Sequence, residues 1–118
     1  EIQIDAEIQL KDITARFYKI IQQFEPFGPT NLQPTFISRK VKNKNEGCRI
    51  VKEEHIRFVV EQENIPFSIT GIGFGLAEKY PIIQSGHPFD IAYHISENEW
   101  QGTRTLQTRV LDIKLSEE

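Results

Sequence analysis

Short segments in which apolar and polar residues alternate set the strongest limit on the fold of this chain. In HIRFVVEQ (55–62), Ile56, Phe58 and Val60 occupy every second position. This spacing is typical of a strand with one face buried. Comparable segments, bounded by glycine, proline or asparagine, predict further strands at 35–42, 67–75, 89–96 and 104–115. The chain is therefore expected to be mainly β.

The connections between these segments narrow the choice of architecture. We predict a turn at 43–47, a short helix at 76–80 that ends near Pro81, and a hairpin loop at 97–103. From residue 35 the order is then β-β-β-α-β-β, the order of the OB-fold, a five-stranded Greek-key barrel. A small α+β sandwich with an open sheet uses the same elements and stays an alternative. Glycines inside 67–75 favour the barrel, because closed barrels bend their strands at such positions.

The first residues carry two further periodic patterns. Alternating isoleucines predict a strand over 2–8, and 10–24 has helical spacing with Asp12 as a candidate cap. We therefore divide the chain into an N-terminal strand, helix and joint (1–34) and an OB-fold barrel (35–118).

The joint reads FEPFGPTNLQPTF (24–36) and combines loop-forming residues with phenylalanines. Prolines fix the backbone and Asn31 can bond to the backbone of its own turn. We expect Phe24, Phe27 and Phe36 to be largely buried, so that the loop is a packed and well-ordered joint.

Composition limits the cellular setting. The single Cys48 excludes an internal disulfide and suits a reducing cytoplasm. No apolar run approaches the roughly 20 residues of a membrane helix, so no membrane contact is expected. The chain contains no methionine, which favours an excised piece of a longer protein.

Charge is distributed unevenly along the chain. The net charge of −3 argues against general, charge-driven binding of nucleic acids. The segment from residue 39 to residue 57, however, contains seven lysine or arginine residues and only three acidic residues. One segment is therefore basic in an otherwise acidic chain.

No pattern of catalytic or metal-binding residues is present. The three histidines and the cysteine lack metal-ligand spacing, and no nucleophile, phosphate-loop or metalloprotease motif occurs. Taken alone, this chain is expected to be non-catalytic and to hold no cofactor.

Binding is better supported. OB barrels hold oligonucleotides on the face of their second and third strands and in the loops that join strands 1–2 and 4–5. Cations can follow phosphates, and aromatic rings can stack on bases. The candidate nucleic-acid-binding residues are Arg39, Lys42, Lys44, Arg49, His55, Arg57, Trp100, Arg104 and Arg109.

Each of these groups of candidate residues can instead have a purely structural role. The lysine run can be a solvated edge strand that blocks aggregation. Trp100 can fold back and plug the end of the barrel. Arg57 and Arg109 can pair with Glu61 or Asp112 instead of phosphate.

Four segments resemble a known family in the same order. They are PFGPTNLQPTF (26–36), HIRF (55–58), GIGFG (71–75) and FDIAYHISENEWQGTRTLQTRVLDI (89–113). They are similar to the C-terminal OB domain of RecJ, the single-strand-specific DNA exonuclease family. Departures occur at Thr108, where the family usually has leucine, and at Leu32-Gln33, where Pro-Glu is commoner.

The resemblance implies that catalysis and DNA binding belong to different domains of the parent protein. RecJ-like enzymes hydrolyse single-stranded DNA from the 5′ end in an N-terminal core, using aspartate and histidine motifs with Mn²⁺ or Mg²⁺. Those motifs are absent from this sequence. The resemblance therefore implies a domain that binds single-stranded DNA, guides it to a core elsewhere in the parent, and acts in DNA repair and recombination. The alternative is an architectural module that braces that core or docks a protein partner.

Overall fold

The computed structural model describes residues 2–117, without the side chain of Glu46. Glu1 and Glu118, the ends of the two predicted segments, lie outside the described residues. Within the described range, no helix is long and apolar enough to cross a membrane.

Strands dominate the described part of the chain. The helices are α1 (Ala15–Gln22) and α2 (Tyr80–Gln84), and 3-10 turns cover Leu10–Asp12, Lys44–Glu46 and Ala77–Lys79. The strands are β1 (Ala6–Glu7), β2 (Phe36–Asn43), β3 (Arg49–Val51), β4 (His55–Gln62), β5 (Ile69–Gly73), β6 (Phe89–Trp100) and β7 (Thr103–Leu115).

The strands close into a barrel because β2 pairs with two neighbours. It pairs antiparallel with β6 from Phe36 to Ser38 and again at Val41, and with β4 from Val41 to Asn43. The cycle β2-β4-β5-β7-β6 is completed by antiparallel β4–β5 and β6–β7 pairs and a parallel β5–β7 pair. The predicted five-stranded Greek-key barrel is confirmed, and β1 and β3 extend its sheet.

A bulge in β2 lets this strand change partners. The register shifts between Ser38 and Val41, and Lys40 has a φ of 57°. The buried carboxylate of Asp90 accepts hydrogen bonds from the Lys40 amide and from Arg39 Nη1, both at 3.1 Å. Ser116 donates to the same carboxylate. Asp90 therefore fixes the bulge from β6.

Apolar side chains fill the barrel interior. The rings of Phe58 and Phe89 meet at 6.0 Å between centroids, and both side chains are fully buried. The Tyr93 hydroxyl lies 2.8 Å from Ser38 Oγ, which donates to the Ile8 carbonyl at 2.7 Å. The N-terminal segment is thus bonded to the barrel core.

The glycines of β5 are required by packing. A Cβ on Gly71 would lie 2.9 Å from Phe58 Cζ, and one on Gly73 would lie 2.8 Å from Leu76 Cδ1. Such distances are too short for ordinary contact. These glycines therefore leave room for core side chains, a more direct reason than the bending expected from sequence.

The N-terminal predictions are partly wrong. The strand expected over 2–8 contains only Ala6–Glu7, which pairs parallel with β2. The helix expected over 10–24 is a 3-10 turn followed by α1, and the cap of α1 is Thr14, whose hydroxyl accepts from the Phe17 amide at 3.1 Å. Asp12 instead accepts from the Gln9 amide.

Three later predictions also need correction. Pro81 lies in the first turn of α2, where no backbone N–H is needed, so the helix continues past it. The expected loop 97–103 is mostly strand, because β6 and β7 are joined by a tight turn with positive φ at Gln101 and Gly102. The short β3 strand was not predicted.

The joint is closed by Asn31 but is less buried than expected. Its side-chain amide donates to the carbonyls of Phe24 and Pro26, as predicted for a self-bonded turn. Phe36 is buried and Phe27 half-buried, whereas the Phe24 side chain is 65% exposed. The order of the loop and the boundary at 34/35 remain predictions.

We predict that Asp90→Asn destabilises the fold by about 1–3 kcal/mol, because a buried charged acceptor is replaced by an amide that cannot accept the same bonds. Urea denaturation measures the change. Asp112→Asn, on the half-exposed pair with Lys79 (3.4 Å), is the matched control and should change stability by less than about 1 kcal/mol. Equal effects of the two substitutions would contradict the special role of Asp90.

Candidate nucleic-acid interface

The outward side chains of β3, β4, β5, β7 and β6 form one continuous surface, which we call the front face. Ile56, Phe58 and Val60 of β4 are fully buried, so His55 and Arg57 point outward. Residues paired directly across neighbouring strands lie on the same face of a sheet. The register therefore tells which side chains share the front face.

One row of the front face is rich in cations. Arg49 pairs with Arg57, which pairs with Ile72. Ile72 then pairs with Arg109, which pairs with His94. Among the described side chains, no carboxylate forms an ion pair with any of these arginines. The alternative, in which Arg57 or Arg109 pairs with Glu61 or Asp112, is therefore not seen among the described side chains.

The long β6–β7 hairpin, which we call the arm, continues the front face. Trp100 is six positions beyond His94, so it lies about 20 Å along the strand on the same face. Its side chain is 69% exposed, so the expectation that it plugs the barrel is wrong. Uncharged polar residues separate it from the cation row, in the pairs Ser96–Gln107 and Asn98–Thr105.

The other face of the arm is different in charge. Arg104 pairs directly with Glu99 in the register and lies 3.8 Å from its carboxylate and 3.7 Å from that of Glu97. This face is continuous with the barrel interior, since Ile95 and Thr108 are buried. Arg104 is thus separated from the front face, although sequence placed it beside Trp100.

Other predicted residues also lie apart from the row. Arg39 is held by Glu7 and Asp90, each at 3.1 Å, and these carboxylates raise the pKa of its guanidinium, with the hydrogen bond to Glu7 the largest cause. Lys42 is opposite Glu61, and Lys44 is exposed in the 3-10 turn before β3. The basic segment therefore does not line one groove.

His55 has a structural task. Its Nδ1 accepts a hydrogen bond from the Gly75 amide at 2.9 Å, so this nitrogen carries no proton. Its ring packs edge-on against Phe74 at 5.3 Å between centroids. His55 is on the front face as predicted, but its Nδ1 is used to hold Gly75, and its Nε2 lies 3.9 Å from Glu54 Oε2.

Sequence reasoning missed Phe74. The residue follows β5 within GIGFG, which was explained by barrel bending alone, and its side chain is 56% exposed. The guanidinium carbon of Arg109 lies 5.3 Å from its ring centroid. Its alternation with the buried Gly71 and Gly73 was the signal that it points outward.

His94 is half-buried at the end of the cation row. Its Nε2 lies 3.0 Å from Thr35 Oγ1. Burial is the main cause that lowers the pKa of His94 below its usual 6.5; Arg109 lowers it further and Asp5 opposes the shift. The imidazole is therefore mostly neutral at neutral pH.

The chain offers no metal centre within the part that the structure describes, since no three acidic, histidine or cysteine side chains gather there. Cys48 is buried, and burial raises the pKa of its thiol to about 11. The thiol therefore stays protonated at neutral pH and is a poor nucleophile or ligand.

The family assignment follows from a match that covers most of the chain. The RecJ OB domain family matches residues 4–112. The chain belongs to this family. No curated protein matches the chain by sequence.

Solved structures of RecJ from Thermus thermophilus contain a region with the same fold as this RecJ OB domain. The structure with Mg²⁺ has a TM-score of 0.70 and 16% identity, and it matches 100% of this chain and 17% of the longer one. The structure with Mn²⁺ has a TM-score of 0.71 and 17% identity, with 100% and 16% covered. This chain thus spans about a sixth of those chains.

We predict that His94 makes folding stability depend on pH. Because its pKa is lower in the folded state than the usual 6.5, the unfolded chain binds more protons as pH falls through that value. The contribution of His94 to the free energy of unfolding is therefore complete above pH 6.5. It is lost progressively as the pH falls from 6.5 to the folded-state pKa. Urea denaturation at several pH values measures this dependence. The free energy of unfolding should change less with pH in His94→Gln than in the wild type.

The control for this experiment is His87→Gln, which changes an exposed histidine outside the front face. It should leave the wild-type profile unchanged. A profile that stays as steep in His94→Gln as in the wild type would contradict the role of His94.

Proposed function

We propose that this chain is the single-stranded-DNA-binding OB domain of a RecJ-like 5′–3′ exonuclease that acts in DNA repair and recombination in the cytoplasm. It would hold the strand and guide it to a catalytic core in the same parent protein. Membership of the RecJ OB domain family and the sequence motifs support this proposal.

The observation that carries the proposal is the composition of the front face. Arg49, Arg57 and Arg109 lie in one row without a carboxylate partner among the described side chains, and the exposed Trp100 lies on the same face. Proteins that bind single strands combine cations for phosphates with aromatic rings for bases. Stacking on an aromatic ring accepts any base, because every base has a π face.

Catalysis would belong to the rest of the parent. The RecJ structures from Thermus thermophilus contain Mg²⁺ or Mn²⁺. The described residues of this chain do not gather a donor set that fits such an ion. A metal-dependent core would therefore lie outside this domain, and this chain would contribute only to binding.

We predict that Arg57→Gln together with Arg109→Gln lowers the affinity for an unstructured oligonucleotide and its salt dependence. Each phosphate contact contributes about 0.7 to the slope of log K against log salt for a single strand, so the loss of both should reduce the slope by about 1.4. Fluorescence anisotropy at several salt concentrations measures both quantities.

The matched control is Arg104→Gln, which removes the same charge from the opposite face of the arm. Its slope should equal that of the wild type. If Arg104→Gln reduced the slope as much as the substitution of Arg57 or Arg109 alone, general charge rather than the front face would explain binding. Absence of binding by the wild type at low salt would contradict the proposed function.

An architectural role is the second candidate, and an apolar patch favours it. Ile2 and Ile4 are each 38% exposed and Leu32 is 74% exposed. Ile2 and Leu32 line one groove of about 740 Å³, and both isoleucines line an adjoining one of about 380 Å³. Such exposed apolar surface is typical of protein contacts. Here the chain would brace the exonuclease core.

We predict for this candidate that Ile4→Ser together with Leu32→Ser weakens the binding of the chain to a separately supplied RecJ-type core at least about tenfold, because apolar area is lost from the contact. Isothermal titration calorimetry measures the affinity. Phe24→Ser changes an exposed apolar residue that lines neither groove and should have little effect. Unchanged binding of the double variant would exclude this surface.

A further inference from the structure

Phe74 stands between two polar neighbours on the front face. β5 lies between β4 and β7, so the ring has His55 on one side and Arg109 on the other. The His55 ring is 5.3 Å away at an angle of 71°, and the Arg109 guanidinium carbon is 5.3 Å from the Phe74 centroid. An exposed aromatic ring therefore has a polar neighbour from each of the two adjacent strands.

We propose that Phe74 is a positioning residue whose ring holds the guanidinium of Arg109 at the surface for contact with a backbone phosphate of single-stranded DNA, while base stacking is left to Trp100. This inference rests on the proposed function and assigns separate tasks to the two exposed aromatic residues of the front face.

The arginine needs such a support. Among the described side chains, Arg109 has no ion-pair partner, and its long side chain would otherwise lose rotamer freedom on binding. A cation over an aromatic ring is attracted by the electrons of the ring face. The contact with Phe74 therefore limits the positions of the guanidinium before DNA arrives.

Phe74 is itself held in place. The Gly75 amide donates to His55 Nδ1 at 2.9 Å and fixes the orientation of the imidazole against the ring. Phe74 thus receives a backbone-anchored neighbour on the side opposite to Arg109.

The same arrangement disfavours stacking of a base on Phe74, because a base would have to displace Arg109. Trp100 has no such neighbour: within the described residues, no aromatic ring or cation packs on it. Its indole is also more exposed, at 69% against 56% for Phe74.

The test is a double-mutant cycle in the 118-residue chain, with an unstructured oligonucleotide as ligand. Phe74→Leu should reduce affinity about 3-fold to 10-fold and reduce the salt slope toward that of Arg109→Gln. The double variant should be no weaker than Arg109→Gln alone, because Phe74 acts through Arg109. Phe74→Tyr should restore both affinity and slope.

Trp100→Leu provides the comparison for stacking. It should reduce affinity without changing the salt slope, and its effect should add to that of Phe74→Leu. If Phe74→Leu kept the wild-type slope and added to Arg109→Gln, Phe74 would be a stacking residue and the proposal would be overturned.

A measurement without DNA separates this inference from the proposed function. The Arg109 Nε–Hε signal in NMR spectra should move upfield in the presence of the Phe74 ring and lose this shift in Phe74→Leu but not in Phe74→Tyr. Phe67→Leu, at another exposed phenylalanine, is the control and should leave the signal unchanged. If the Arg109 signal does not change in Phe74→Leu, the positioning role is overturned, even if the chain binds DNA. A wild type that shows the ring shift but does not bind DNA overturns the proposed function instead.

Discussion

The change of partner by β2 at its bulge is the constraint on which the rest of the structure depends. One strand must pair with β6 and then with β4, and the barrel closes only if it turns between them. The buried Asp90 carboxylate fixes this point by accepting from the Lys40 amide, Arg39 and Ser116. Arg39 also reaches Glu7 of β1, so the same cluster attaches the N-terminal segment. Arg39, although it lies in the basic segment, thus helps to close the barrel.

Closure matters for the front face because strand register decides which side chains share it. A shift of one residue moves every side chain of a strand to the other face. In the arm, the tight turn at Gln101 and Gly102 sets Trp100 opposite Thr103. Trp100 then lies with Arg109 on the front face, and Arg104 lies with Glu97 and Glu99 on the other. The chemical difference between the two faces follows from the turn.

The barrel could be predicted from sequence because its central strands alternate clearly and its element order is specific. β3 could not be predicted, since three residues carry too little periodicity. The end of the arm resembles a loop in sequence because polar residues cover both of its faces beyond the barrel. For the site, alternation placed Arg57 and Arg109 outward. Clustering along the chain could not separate Arg39 and Arg104 from these arginines, because the carboxylates that pair with them come from β1 and β6, and only the strand register shows that they share a face.

The net charge of −3 and a cationic front face are compatible because many acids are already paired or distant. Asp112 lies 3.4 Å from Lys79, and Glu97 and Glu99 flank Arg104 on the back of the arm. At physiological salt, fields from exposed charges decay over about 8 Å. A phosphate near Arg57 and Arg109 therefore experiences mainly the charges nearest to it, which are the row itself and then Glu61, four positions along from Arg57 on the same side of β4. Net charge limits the long-range attraction of DNA, whereas the register of the β-strands determines whether a DNA strand can be held at the front face.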